Sequence, residues 1–305
     1  MKSPLSRTII GAKSSGRPPA AIELSAEGVL AASLDTSGGQ PVYAFAPLPP
    51  GALVPGITEA NIHSADAVAN AIRSAFTGIS LRSRSIALVL PDSAVRVFML
   101  DFDSLPGRPA EVLPVLRLRL RKMVPFDVEH AGVSYQVLSQ SETAIKVLTA
   151  VLPGPVLAEY ESVVRAAGFE PGAVLPTSLA ALEAVNSMEA ALIANLSPLA
   201  LTTSITNGSD LLLHRTLELP EDPIERLGEI QRSIAVAAAY YEDTLHAPAR
   251  EIHYAGCYSS RDFAQWLSGM GLSVVDLVTR PETGSLTSLG HASIAGAAGA
   301  LAGSD

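Results

Sequence analysis

Apolar residues come in short runs broken by polar turns over the first third of the chain. Residues Ala20–Leu24 and 30–34 flank Ala26-Glu27-Gly28, the pattern of a β-hairpin. A third strand is expected over 40–46, and the Pro-rich stretch 47–55 is expected as a turn. From 64 to 76 the period lengthens. Ala67, Val68, Ala71, Ile72 and Ala75 recur at helical spacing behind a candidate Ser64 cap. Residues 86–90 and 95–100 read as strands around the turn Pro91-Asp92-Ser93.

A helix is expected to open near Pro109, a residue suited to the first helical position, with Leu113, Leu116 and Leu120 on one face. Pro125 stops it. Residues 133–138 and 145–151 read as paired strands across the polar turn 139–143. Helices are then predicted over 155–168, closed by Gly168, and over 177–185.

The second half repeats this order. Residues 191–196, 199–206 and 211–217 read as a strand meander, with Asn207-Gly208 a strong hairpin turn. The longest helical stretch, 224–245, carries Ile230, Ile234, Ala237, Tyr241 and Leu245 on one stripe. A strand at 251–254, a helix at 260–270, a strand at 274–277 and a last helix at 293–301 follow. Strands then helices, twice over, predict an α/β protein with two similar lobes.

At 305 residues the chain is long enough for two lobes with a real core. One cysteine, Cys257, excludes an intramolecular disulfide and a cysteine-based metal cluster, and fits a reducing compartment. A net charge of −9 argues against general nucleic-acid binding. Aromatic residues are only 5% of the chain, so the core must be built from Ala, Leu, Val and Ile. No apolar run reaches the ~18 residues of a membrane span. Residues 1–19 carry Lys2, Arg7, Lys13 and Arg17 without an acid, and are expected to be a solvated leader, with weak contact to anionic lipid as the alternative.

Four stretches carry a family resemblance. AAIELSAEGVLAASL at 20–34 stands for an opening strand, turn and strand. Arg121-Lys122-Met123-Val124-Pro125-Phe126-Asp127 ends a helix in a Val-Pro-Phe turn, with the strand VSYQVL after it. EIQRSIAVAAAYYE at 229–242 is a helix opening Glu-Ile-x-Arg-Ser and closing in a Tyr-Tyr pair, and 252–277 gives a strand, glycine turn, helix and strand. In this order they resemble the PilM family of actin-like type IV pilus assembly proteins, related to the cytoplasmic domain of GspL and to FtsA.

The resemblance implies an actin-like, ribonuclease H-like bilobal fold. The first lobe would span 20–188 with a subdomain inserted at about 85–152, and the second 189–305. It also implies a nucleotide cleft whose usual residues are missing. Glu23-Leu24-Ser25 stands for Asp-x-Gly in the first phosphate loop, and Asn195-Leu196-Ser197 in the second, followed by Pro198. Glu221 and Asp222 replace a Gly-Gly pair, and the adenosine side shrinks to Ala255-Gly256-Cys257. Glu23, Ser25, Asn195 and Gly256 thus mark a degenerate cleft, with no cofactor expected and MgATP as the alternative. The implied role is a structural adaptor rather than an enzyme, cytoplasmic and peripheral to the inner membrane. It would bind the N-terminal peptide of a PilN-like bitopic membrane protein, together with pilus motor or platform proteins. The rival is an actin-like ATPase or a sugar-kinase-type enzyme.

Other chemistry is weak. Gly11-Ala12-Lys13-Ser14 lacks the Gly-Lys adjacency of a phosphate loop, and the six histidines show no metal-ligand spacing. Cys257, after an apolar strand, reads as a small buried side chain. Arg117, Arg119, Arg121 and Lys122 concentrate positive charge on one helix, either as a solvated face or as a contact for acidic groups. Of Tyr240 and Tyr241, at most one can be core. Arg121, Lys122 and Phe126 are the candidate partner-binding residues, with Phe126 as a core cap the alternative.

Overall fold

The computed structural model describes residues 17–34, 40–185, 189–281 and 284–302. The sequence Gly11-Ala12-Lys13-Ser14 and most of the expected leader lie outside these residues. Arg17, at the leader's end, is buried and ion-paired with Glu183 at 3.2 Å.

Three strands open the chain: β1 (Ala20–Leu24), β2 (Gly28–Ser33) and β3 (Val42–Pro47). With β4 (Ser85–Leu90) and β8 (Glu170–Pro176) they form a five-stranded sheet in the order β3-β2-β1-β4-β8. β1, β4 and β8 run parallel. Helices α1 (Ala65–Ala75) and α3 (Gly154–Ala166) cover one face, burying Val68, Ile72, Tyr160 and Val164 against Ile22, Ile86 and Leu88.

The second sheet repeats the plan in the order β11-β10-β9-β12-β13. Its strands are β9 (Ala190–Leu196), β10 (Ala200–Asn207), β11 (Asp210–Glu218), β12 (Glu251–Gly256) and β13 (Ser273–Asp276). The turn at Asn207-Gly208 uses the positive φ of Gly208, +59°. Helix α5 (Pro223–Leu245) starts on the Asp222 carboxylate, which accepts from the backbone N–H groups of Ile224 and Glu225, each at 2.9 Å. Its Ile230, Ile234 and Ala237 pack on β10 and β12 with Phe263 of α6 (Ser260–Trp266). Tyr241 joins this core and donates to the Ala190 carbonyl at 3.3 Å, whereas Tyr240 is exposed.

Three segments differ from the sequence reading. β4, expected to open the insert, is the strand between β1 and β8; the insert has its own three-stranded sheet, in which β7 (Ile145–Leu152) lies between β5 (Arg96–Phe102) and β6 (Gly132–Gln140). A tight turn at Asp92–Ala94 carries the chain from one sheet to the other, so β4 and β5 are not a hairpin. Strand β8 escaped the sequence reading because Pro171, Gly172 and Pro176 disguise it. It is an edge strand, and the register shift at Ile86/Ala87 absorbs the proline. Finally, α7 (Ala295–Ala302), assigned by sequence to the second lobe, crosses back and packs on the first sheet and on α4 (Thr177–Leu182). Its Ala and Gly content is what lets it: a Cβ at Gly299 would lie 1.9 Å from the Ala180 carbonyl oxygen.

Candidate functional site

Two concavities hold the residues singled out by sequence. The first is the cleft between the lobes, a cavity of about 450 Å³ that Glu23, Ser25, Asn195 and Gly256 all line. It opens at the carboxyl ends of the parallel strands, where ligands sit in open α/β sheets.

Its two phosphate-loop positions are folded alike. The hydroxyl of Ser25 donates to the Gly28 carbonyl and accepts from the Gly28 N–H, both at 3.2 Å. On the other lobe, the Ser197 hydroxyl accepts from the N–H groups of Leu199 and Ala200 at 3.3 and 2.9 Å. In each loop the backbone N–H of the serine itself donates to the carbonyl three residues on, that of Gly28 or Ala200, both at 2.9 Å. A serine stands at the same place in each loop, and its amide is satisfied locally.

Charge points the same way. The lining carboxylates are Glu23, Glu27 and Asp92, and no Lys or Arg lines the cavity among the described residues. Glu23 accepts from the Ala297 N–H of α7 at 2.9 Å, and burial raises its carboxyl to about 7. A Cβ on Gly296 would meet that carboxylate at 2.7 Å, so α7 and Glu23 close on each other. The Tyr254 hydroxyl stands 2.2 Å from where a Cβ of Gly256 would be. A triphosphate here would face carboxylates and occupied amides. Glu221 and Asp222 do not line the cavity; Asp222 serves as the α5 cap. Cys257 lines it, with burial pushing its thiol up to about 12, far from a thiolate nucleophile.

Asp92, missed as a site residue, is a buried link between the lobes. It accepts from the Ser178 N–H and hydroxyl at 3.0 and 2.8 Å and from the Thr202 hydroxyl at 3.1 Å. His214 continues the network, 2.9 Å from Ser204 and 3.4 Å from Ser178, and burial lowers it to about 4. The available signal was an acidic residue directly after an apolar parallel strand. Among the described residues, no three His, Cys, Asp or Glu side chains group as a metal site.

The second concavity, about 630 Å³, lies between the insert and the first lobe. Phe126 lines it with Pro125, Ile57, Pro155 and Val156. α2 (Pro109–Leu120) ends above it, its Val112, Leu116 and Leu120 buried against Val147 and Val151 of β7. Phe126 is half-buried on that core and also faces the groove. The facing rim is built around buried Asn61. Its side chain donates to the carbonyls of Gly56 and Glu59 and accepts from the Gly56 N–H, all at 2.9 Å, and from the Tyr160 hydroxyl at 3.0 Å. Glu159 of α3 accepts from the Asn61 and Ile62 N–H groups at 2.7 and 3.1 Å. Sequence gave no sign of this rim.

Arg121 and Lys122 do not line the groove. Arg121 pairs with Glu129, and Lys122 is exposed. Arg117 is turned inward onto the carbonyls of Val128 and Ala131, tying down the chain after Phe126.

No family model matches the sequence, and no curated protein is significantly similar to it. Solved structures are. One is a PilM-PilN type IV pilus biogenesis complex, at 19% identity and a TM-score of 0.68, covering 94% of this chain and 99% of that one. Another is the cytoplasmic domain of EpsL, an inner membrane component of the type II secretion system of Vibrio cholerae. It has 13% identity and a TM-score of 0.50, covering 88% and 92% of the two chains. A Bacteroides thetaiotaomicron protein with an actin-like ATPase fold and unknown function has 10% identity and a TM-score of 0.50, covering 86% and 91%. The fold is actin-like. No helix of the described residues is long and apolar enough to cross a membrane.

Proposed function

We propose that the protein is a non-catalytic adaptor in a pilus or related secretion assembly platform, holding a short cytoplasmic peptide of a PilN-like membrane protein. One observation carries this: the apolar groove between the insert and the first lobe, with Phe126 at its mouth, on a fold shared with the PilM-PilN structure. A groove of about 630 Å³ takes two or three apolar side chains of an extended peptide. Its aromatic and proline walls are fixed by the α2 core on one side and by Asn61 on the other, so little order is lost on binding. Localisation at the inner membrane then follows from the partner, as does contact with motor or platform proteins.

In this reading the interlobe cleft is a scaffold that needs no nucleotide. Its three carboxylates and serine-closed loops support that role. The experiment is a calorimetric titration of the full chain with the N-terminal peptides of small single-pass membrane proteins encoded beside it. Saturable binding by one of them, lost in a folded Phe126→Ala variant, is the expected result. Binding that survives Phe126→Ala moves the site elsewhere, and phosphate release from ATP above a Glu23→Ala control overturns the adaptor reading.

A further inference from the structure

At the opposite end of the first sheet lies a third concavity, about 620 Å³, and its character is basic. Arg73, Arg82 and Arg84 line it over the rings of Phe76 and Phe169, and among the described residues no Asp or Glu does. This is unusual for a chain of net charge −9. Several arginines elsewhere sit on carboxylates, as Arg17 on Glu183, Arg165 on Glu161 and Arg232 on Glu229.

Two of the three are held in place by neutral groups. Arg73 donates to the Ala166 carbonyl at the end of α3, at 2.9 Å, and to the Asn70 side-chain oxygen at 2.5 Å. Arg84 lies over the Phe169 ring, 5.3 Å from its centre, and that ring packs on Phe76 at 4.7 Å. Neither contact cancels the charge. A guanidinium offers five donors, and Arg73 spends two of its nitrogens here. The result is a preorganised pair of cations above a buried aromatic floor.

We propose that this pocket is a second docking site, for an acidic peptide segment of a partner protein. Guanidinium forks match carboxylates in pairs, and the aromatic floor receives the methylene stems of Glu side chains. Concavity favours separate carboxylates entering a pocket over a flat anionic bilayer. The pocket sits at the C-terminal end of α3 and the Phe126 groove at its N-terminal end, so a 13-residue helix of roughly 20 Å separates them and both can be filled at once.

The test is fluorescence polarisation of the full chain with labelled hexaglutamate, against hexaglutamine. Hexaglutamate is expected to bind, to weaken as salt rises, and to bind about tenfold or more weakly to the Arg73→Gln/Arg84→Gln variant. Arg261→Gln, an exposed arginine of the other lobe, should match wild type. Should the double variant melt early, charge reversal at exposed Arg82 (Arg82→Glu) gives the same readout without touching the aromatic floor. Absence of hexaglutamate binding by wild type, or equal binding by folded variants, overturns the proposal. So does binding to phosphatidylglycerol vesicles that needs Arg73 and Arg84 while hexaglutamate does not bind, which assigns the pocket to a membrane.

Discussion

The carboxylate of Asp92, at the end of β4, accepts a 3.1 Å hydrogen bond from the hydroxyl of Thr202 on β10 of the other lobe. The two other donors to Asp92 belong to Ser178 in the first lobe, so Thr202 is its contact across the interlobe boundary. Thr202→Val leaves that boundary with one fewer donor on a buried acid, and should cost about 1–2 kcal/mol by chemical denaturation. Asp92→Ala strands the Ser178 N–H as well and should cost about 3 kcal/mol. If the bond holds the lobes together, Thr202→Val also speeds hydrogen exchange in α4 and β10 together. Unchanged exchange in both would show the lobes are held by packing alone.

Stability should depend on pH through two groups of opposite sign. Glu23 titrates near 7 when folded against an ordinary 4.5, so its contribution is whole below about pH 4.5 and lost as pH rises through 7. His214 titrates near 4 against 6.5, so its contribution is whole above pH 6.5 and lost as pH falls through 4. Glu23→Gln keeps an acceptor for the Ala297 N–H and removes the ionisation. Relative to wild type it should gain about 2 kcal/mol between pH 4.5 and 7. Asp92, itself raised by burial, repels an ionised Glu23, so Glu23→Gln also relieves that repulsion. Parallel denaturation curves across that range would place the Glu23 carboxyl in solvent instead.

Phe126 and Asn61 face each other's territory across the groove but should fail differently. Phe126→Ala removes a half-buried ring, so the melting temperature should fall modestly while peptide affinity drops by about 2 kcal/mol. Asn61→Ala breaks four hydrogen bonds of a buried side chain and should cost stability of about 2–3 kcal/mol. A folded Asn61→Ala protein that binds peptide at wild-type affinity would show that the rim does not shape the site.

MgATP should leave the melting temperature unchanged, because the phosphates would find no Lys or Arg among the described lining residues and the loop amides of Ser25 and Ser197 are already hydrogen-bonded. Restoring glycine at both loops, Ser25→Gly with Ser197→Gly, frees amides but not charge, and should not create binding. A rise of several degrees in either protein, the size expected from ligand well above its Kd, would count against the scaffold reading.

The sequence by itself determined the local elements and their order, because these rest on periodicity and turn chemistry. The hairpin around Glu27-Gly28, the turn at Asn207-Gly208 and the stripe Ile230, Ile234, Ala237 along α5 are set by near neighbours. It also marked Glu23, Ser25, Asn195 and Gly256, which the fold brings to one cavity. Tertiary structure decided what no local pattern encodes. β8 is a strand despite two prolines because an edge position and a register shift accommodate them. α7 joins the first sheet because only small residues permit the Gly299–Ala180 approach, a fact of two helices 120 residues apart in the chain. Arg121 reads as a binding cation until Glu129 is placed beside it, and no local pattern marks Arg73 and Arg84, which the fold puts over one pocket with no acid among its described lining residues. A side chain's partners are set by long-range packing, and charge becomes function only where that packing leaves it uncompensated.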